Sequence, residues 1–187
     1  MSILHVLAEV GRLLQWVRTQ YQVRKNPVAY ARSLGVTIGE GTWIYGGNSC
    51  TFGSEPYLVT IGKNCHIAED VRFITHDGMA IVLRSRHPDI DLVEPIELGD
   101  NVVVGLRSII LPGVKIGSNC IIGCASVVRS DIPDNSVAAG VPARVLGNLD
   151  NYEQRVVPKS IHTGTLQGRE KERRIREIFA VADAKGR

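Results

Sequence analysis

From Leu98 onward an aliphatic residue returns at every sixth position: Leu98, Val104, Ile110, Ile116, Ile122 and Val128. Four residues after each comes a second small or aliphatic side chain, at Val102, Ser108, Val114, Cys120, Ser126 and Ile132. Glycine follows the aliphatic position at Gly99, Gly105, Gly117 and Gly123, whereas the third and sixth hexads, ILPGVK and VVRSDIP, break that rule. A longer period of three hexads is therefore laid over the period of six. Three hexads per turn describe a triangular solenoid. Each hexad makes one short flat strand and one corner, and each coil buries its apolar residues only against its neighbours. Inward side chains should stack one coil apart: Leu98 on Ile116, Val104 on Ile122, Ile110 on Val128. The glycines are expected where a corner demands unusual backbone angles. A sandwich or barrel would need longer strands and less regular turn spacing.

The same pattern appears earlier, at Ile61-Gly62, Ile67-Ala68 and Phe73, and another coil begins at Ile38-Gly39 and Ile44. The register is disturbed around SCTFGSEPYLV and vanishes between Gly78 and Ile96. That second break carries Arg84, Arg86, His87, Asp89, Asp91 and Glu94. A polar insertion leaving a regular scaffold predicts a functional loop. Ahead of the hexads, Ile3, Leu7, Val10, Leu14, Val17 and Tyr21 alternate at steps of four and three, a helical stripe ended near Pro27. This helix is expected to pack on the end or side of the solenoid. Its Arg12, Arg18, Arg24 and Lys25 also allow peripheral association with a membrane surface. A second helix is expected over residues 168–185, with the spaced pairs Glu170–Arg174 and Glu172–Arg176. The expected organisation is an N-terminal helical segment (1–34), the solenoid (35–147) with the inserted loop 78–95, and a C-terminal helical extension (148–187).

Composition narrows the function classes. A net charge of +3 is too small for a nucleic-acid footprint and suits a small anionic ligand. No stretch is long and apolar enough to span a bilayer. The N-terminus carries Glu9 and Arg12 inside its apolar part and reads poorly as a signal peptide. Cys50, Cys65, Cys120 and Cys124 are accordingly expected as free thiols in a reducing, cytoplasmic compartment. With no paired CxxC and no clustered histidines, no metal site is expected.

The run GDNVVVGLRSIILPGVKIGSNCIIGCASVVRSDIPDNSVAAGVPARVLG resembles the terminal coils of the hexapeptide-repeat acyltransferases, and FGSEPYLVTIGKNCHIAEDVRFITHDG resembles their sugar and polysaccharide O-acetyltransferases. The resemblance covers about residues 35–150. It implies a mainly β fold, a left-handed parallel β-helix with flanking α-helices, assembled as a homotrimer. Each active site would lie between two subunits, with acetyl-CoA along the groove and a histidine from the neighbouring chain beside the thioester. That histidine matches His76, whose neutral imidazole would take the proton of an acceptor hydroxyl. Gly105 and Leu106 match the coil position that approaches the pantetheine, and Gly123, Cys124 and Ala125 match the close-approach segment. Arg129 and Arg144 match basic residues for the cofactor phosphates; Arg129 stands one position early, and Gly147 replaces a second basic residue. On the acceptor side the candidates are Glu55, Tyr57, Asp77, Arg84 and His87, with Asp89 and Asp91 in the same loop. The implied reaction is acetyl transfer to a sugar hydroxyl of a surface polysaccharide. N-acetylation of a nucleotide-linked amino sugar and acetylation of a streptogramin-like antibiotic remain alternatives, and a non-catalytic scaffold is the reading from another class.

Overall fold

The computed structural model describes residues 3–48 and 50–180. They fall into two compact units, Met1–Leu149 and Asp150–Arg187. In the first unit, α1 (Ile3–Lys25) and α2 (Pro27–Ser33) precede the hexads. Asn26 caps α2, its side chain accepting from the Ala29 amide at 2.9 Å, and Pro27 takes the first turn, where a missing N–H costs nothing. The coils then run through β1 (Thr37–Ile38), β2 (Trp43–Ile44), β3 (Val59–Ile61), β4 (His66–Ile67) and β5 (Arg72–Phe73). After the insertion come β6 (Ile96–Leu98), β7 (Val103–Val104), β8 (Ile109–Ile110), β9 (Lys115–Ile116), β10 (Ile121–Ile122) and β11 (Val127–Val128). The unit ends with β12 (Ser136–Gly140) and β13 (Ala143–Asn148).

Three sheets form the faces of the coil: β1-β3-β6-β9 on face A, β2-β4-β7-β10 continued by β12 and β13 on face B, and β5-β8-β11 on face C. All pairs between coils are parallel, and the register is the one the six-residue period demands. Leu98 lies opposite Ile116, Val104 opposite Ile122 and Ile110 opposite Val128, all buried. The column continues downward through Ile61, Ile67 and Phe73.

The hexad glycines do something other than expected. Gly62, Gly99, Gly105, Gly117 and Gly123 are not in the left-handed region. At these hexads the left-handed residues are Asn64, Asn101, Asn119 and Asn135 at the corners from face A to face B, and Asp70, Arg107 and Ala125 at those from B to C, while Gly41, Gly46 and Gly113 take that conformation at other corners, as expected. Asparagine tolerates this conformation better than most L residues. Here its side chains also link the coils: Asn101 donates to Asn119 at 2.9 Å, and Asn119 to Asn135 at 3.1 Å. The glycines are needed because the next coil leaves no room for a Cβ. One at Gly105 would stand 2.5 Å from the Cys124 amide nitrogen, and one at Gly123 would stand 2.7 Å from the Ala139 Cβ.

Both breaks in the period are accommodated without opening the core. In the first, Phe52 supplies the inward position of face C and stacks on Phe73, with ring centroids 5.3 Å apart. The second forms a short 3-10 helix, Gly78–Leu83, and then returns. The Asp77 amide donates to Leu92 O at 2.8 Å and the Glu94 amide to Thr75 O at 2.9 Å, so residues 75–77 and 92–94 close its neck like a hairpin. The solenoid ends in the antiparallel β12–β13 hairpin, an element the hexad pattern does not announce.

Packing of the N-terminal helix departs from expectation. Val23 is buried, but Val10, Leu13, Leu14, Val17 and Tyr21 are all between 48% and 64% exposed. The reason is that α2, not α1, covers the first coil: it contacts β1 and β2, and Ala31 joins the core beside Val36. Among the described residues no helix is long and apolar enough to cross a membrane. In the second unit, α4 (Gly168–Ile178) follows α3 (Leu149–Val156), which begins at the boundary of the units. Arg176 pairs with Glu172 at 2.9 Å as expected, while Arg174 reaches Glu177 at 3.3 Å in place of Glu170. The helix expected to reach 185 ends at Ile178, where Phe179 caps it, and residues 181–185 lie outside the described residues.

Candidate active site

The corner between faces C and A is where the chain leaves the coil for its insertion, and His76 stands there. Strand β5 ends at Phe73; alternation then turns Thr75 inward, where it is fully buried, and leaves His76 with 30% of its side chain exposed. The imidazole lies between two carboxylates. Glu55 Oε1 faces Nδ1 at 3.5 Å, and Asp91 Oδ1 faces Nε2 at 2.7 Å. Glu55 is itself held: its Oε2 accepts from Thr75 Oγ1 at 3.0 Å and from Ser54 Oγ at 2.9 Å. An imidazole faced at Nδ1 by a held carboxylate, and at Nε2 by a carboxylate on an exposed loop, can take up and deliver a proton once the second turns aside.

The structure redistributes the expected acceptor-side residues. Glu55 is drawn onto the imidazole. Asp77 turns away from His76 and caps the 3-10 helix, its carboxylate accepting from the Met79 amide at 2.9 Å. Tyr57 is exposed, and its Cβ stands beside the backbone of Gly35. Arg84 and His87 are exposed on the insertion. Thr75 and Ser54 were not singled out in the sequence. Alternation from Phe73 would have placed Thr75 inward with a hydroxyl needing a partner, but Glu55 and Ser54 lie where the period is broken.

Gly105, Leu106, Gly123, Cys124 and Ala125 lie on successive coils at the corner between faces B and C. There the Ala125 amide donates to Leu106 O at 2.7 Å, and Leu106 and Cys124 are exposed. Arg129 is exposed at the end of β11, on the same corner as His76. Arg144 is exposed in β13, its guanidinium donating to its neighbour Ala143 O at 3.2 Å. Within one chain His76 and the Gly105–Gly123 corner thus flank opposite edges of face C.

A parallel three-faced coil of hexads with a histidine at its interrupted corner defines a class, and comparison with known proteins identifies it. Residues 95–130 match the family model described as bacterial transferase hexapeptide, six repeats. The chain is 41% identical to the protein CapG of Staphylococcus aureus over 140 residues, covering 75% of this chain and 81% of that protein. It is 35% identical to the galactoside O-acetyltransferase of Escherichia coli K12 over 136 residues, covering 63% of this chain and 66% of that protein. Among solved structures, a hexapeptide-repeat acetyltransferase of Vibrio cholerae superposes with a TM-score of 0.57 at 23% identity, covering 75% of this chain and 93% of that one, a likeness of fold. The chain belongs to the hexapeptide-repeat transferase family, and it is an acyltransferase of that family.

Proposed function

We propose that this protein is a cytoplasmic O-acetyltransferase that moves the acetyl group of acetyl-CoA to a sugar hydroxyl during surface-polysaccharide biosynthesis, with His76 as general base. The observation that carries the reading is the held imidazole: Thr75 and Ser54 fix Glu55, and Glu55 faces Nδ1 of His76 at a partly open corner. With the ring hydrogen on Nδ1 toward Glu55, Nε2 has the lone pair. It removes the proton as the acceptor oxygen attacks the thioester carbonyl, and the departing thiolate of CoA takes that proton back. A backbone N–H would stabilise the tetrahedral oxyanion. Acetyl transfer is direct, so no nucleophilic serine or cysteine is required. The relatives support the acceptor class, one being a named galactoside O-acetyltransferase and another a named lipopolysaccharide-biosynthesis O-acetyltransferase.

The same reading includes a left-handed coil and a homotrimer. Face B supports the assembly. Its outward residues in register, Trp43, His66, Val103, Ile121 and Val137, are largely apolar, while those of face A are Thr37, Thr60, Glu97 and Lys115. A second copy covering face B would let the corner bearing Gly105 and Gly123 meet His76 of its neighbour. Cys124 and Ala125 would line the pantetheine channel, with Arg129 and Arg144 toward the phosphates. Charge on α1 supports peripheral contact with an anionic membrane: Arg12, Arg18, Arg24 and Lys25 accompany the uncovered apolar stripe, and Glu9 is its one acidic residue among those whose side chains are described.

The test is transfer from acetyl-CoA to a panel of sugars, nucleotide-linked amino sugars and streptogramins. His76→Ala should lower kcat by on the order of 10²–10⁴ and leave CoA affinity near that of the parent. Turnover that survives the substitution refutes the role given to His76. A preference for an amine over every hydroxyl acceptor refutes the acceptor class.

A further inference from the structure

The nitrogen on which the proposed reaction depends is already engaged. Asp91 Oδ1 stands 2.7 Å from His76 Nε2 in ion-pair contact, while Glu55 is 3.5 Å from Nδ1. A carboxylate oxygen this close fills the approach an acceptor hydroxyl needs to reach the nitrogen. The structure therefore holds Nε2 covered by Asp91, with the longer gap on the Glu55 side.

The two carboxylates are anchored differently. Glu55 accepts from two hydroxyls and is 17% exposed, whereas Asp91 is 52% exposed, and its one ion-pair partner among the described residues is His76. Asp91 sits one residue before the backbone neck at Leu92–Glu94, so the neck fixes where it can reach without fixing its rotamer. Turning it off Nε2 breaks a side-chain contact and leaves the neck intact.

From this, we infer that Asp91 is a positioning residue that discriminates the polyol acceptor from water. It covers Nε2 until an acceptor with several hydroxyls arrives. Such an acceptor offers one hydroxyl hydrogen to the Asp91 carboxylate and a second hydroxyl to the base, while contacts along the rest of the sugar offset the loss of the His–Asp bond. With Asp91 turned aside, Nε2 is uncovered and free to act. Water has no remote contacts with which to open the latch. Unlatched, it would be wasteful: the water oxygen attacks the thioester carbonyl, one of its protons passes to Nε2, the C–S bond breaks, and the thiolate takes that proton to give CoA thiol and acetic acid, which releases its remaining proton to solvent as acetate. This inference rests on His76 being the base.

The experiment measures CoA thiol release from acetyl-CoA without acceptor, beside transfer to the best sugar found, in the parent, Asp91→Ala, His76→Ala and the double variant. Asp91→Ala should raise acceptor-free hydrolysis about tenfold, the scale of one lost charge-assisted hydrogen bond. The hydrolysis-to-transfer ratio should rise with it, and adding His76→Ala should return hydrolysis to background. Loss of a purely structural contact would lower both activities together. Hydrolysis that is unchanged or lower in Asp91→Ala, while His76→Ala still abolishes transfer, overturns the latch and spares the base. Transfer that survives His76→Ala overturns both.

Discussion

Cys65 and Cys120 stand in the inward small-residue positions of their hexads, and the structure shows what confinement does to them. Both are fully buried, with Sγ 3.2 Å from Gly99 O and 3.1 Å from Pro133 O. Burial is the first cause that pushes both thiols above their ordinary value of 9.0, with the neighbouring Asp100 and Asp134 adding to it. A thiol raised in the folded state stays neutral while the unfolded chain ionises. Its contribution is present below about pH 9 and is lost as pH climbs through the raised folded value. Chemical denaturation across this range should show stability falling above about pH 9, with a shallower fall in the Cys65→Ala/Cys120→Ala variant. Equal slopes would contradict the assignment. The positions of these thiols were legible because the period of six marks them as internal. The glycine roles were not, since a missing Cβ suits a left-handed turn and a close coil contact alike. The backbone angles of Gly105 and Gly123, with the contacts a Cβ there would make with the Cys124 amide and Ala139, separate the two.

At the scale of elements, the hexads gave every strand from β6 to β11 and its register, because each coil can bury its apolar residues in only one alignment. The β12–β13 hairpin and α3 escaped because they follow the last hexad, where no period constrains them. Phe52 escaped because its hexad is broken on both sides, although its stacking on Phe73 keeps the column filled. The site was half legible. The position of His76 before a polar insertion pointed to it, but its partners Glu55 and Asp91 come from the two irregular segments. Helix α1 was read correctly as a helix and incorrectly as packed, because an apolar stripe does not say what covers it. Its uncovered Leu14 and Val17 yield a prediction. The protein should float with vesicles containing phosphatidylglycerol and not with phosphatidylcholine alone, and Leu14→Glu/Val17→Glu should abolish flotation without changing the oligomer. A change in oligomeric state in that variant would instead make the stripe a subunit contact.

For the whole molecule, the decisive feature is the separation across face C of the residues proposed for the chemistry. His76 occupies one edge, and the corner of Gly105, Leu106, Gly123, Cys124 and Ala125 occupies the other. A reaction needing both must join two copies, and the apolar outward ladder of face B offers the surface on which copies would meet. Subunit mixing tests this most directly. His76→Ala removes the proposed base, and Cys124→Trp fills the exposed corner proposed for the cofactor, so each variant alone should be inactive. Co-assembled in equal amounts, they should recover about a quarter of parental transfer, because random pairing in a closed ring joins an intact His76 edge to an intact Cys124 corner at that frequency. Activity in the mixture no higher than in either variant alone would contradict a site shared between chains.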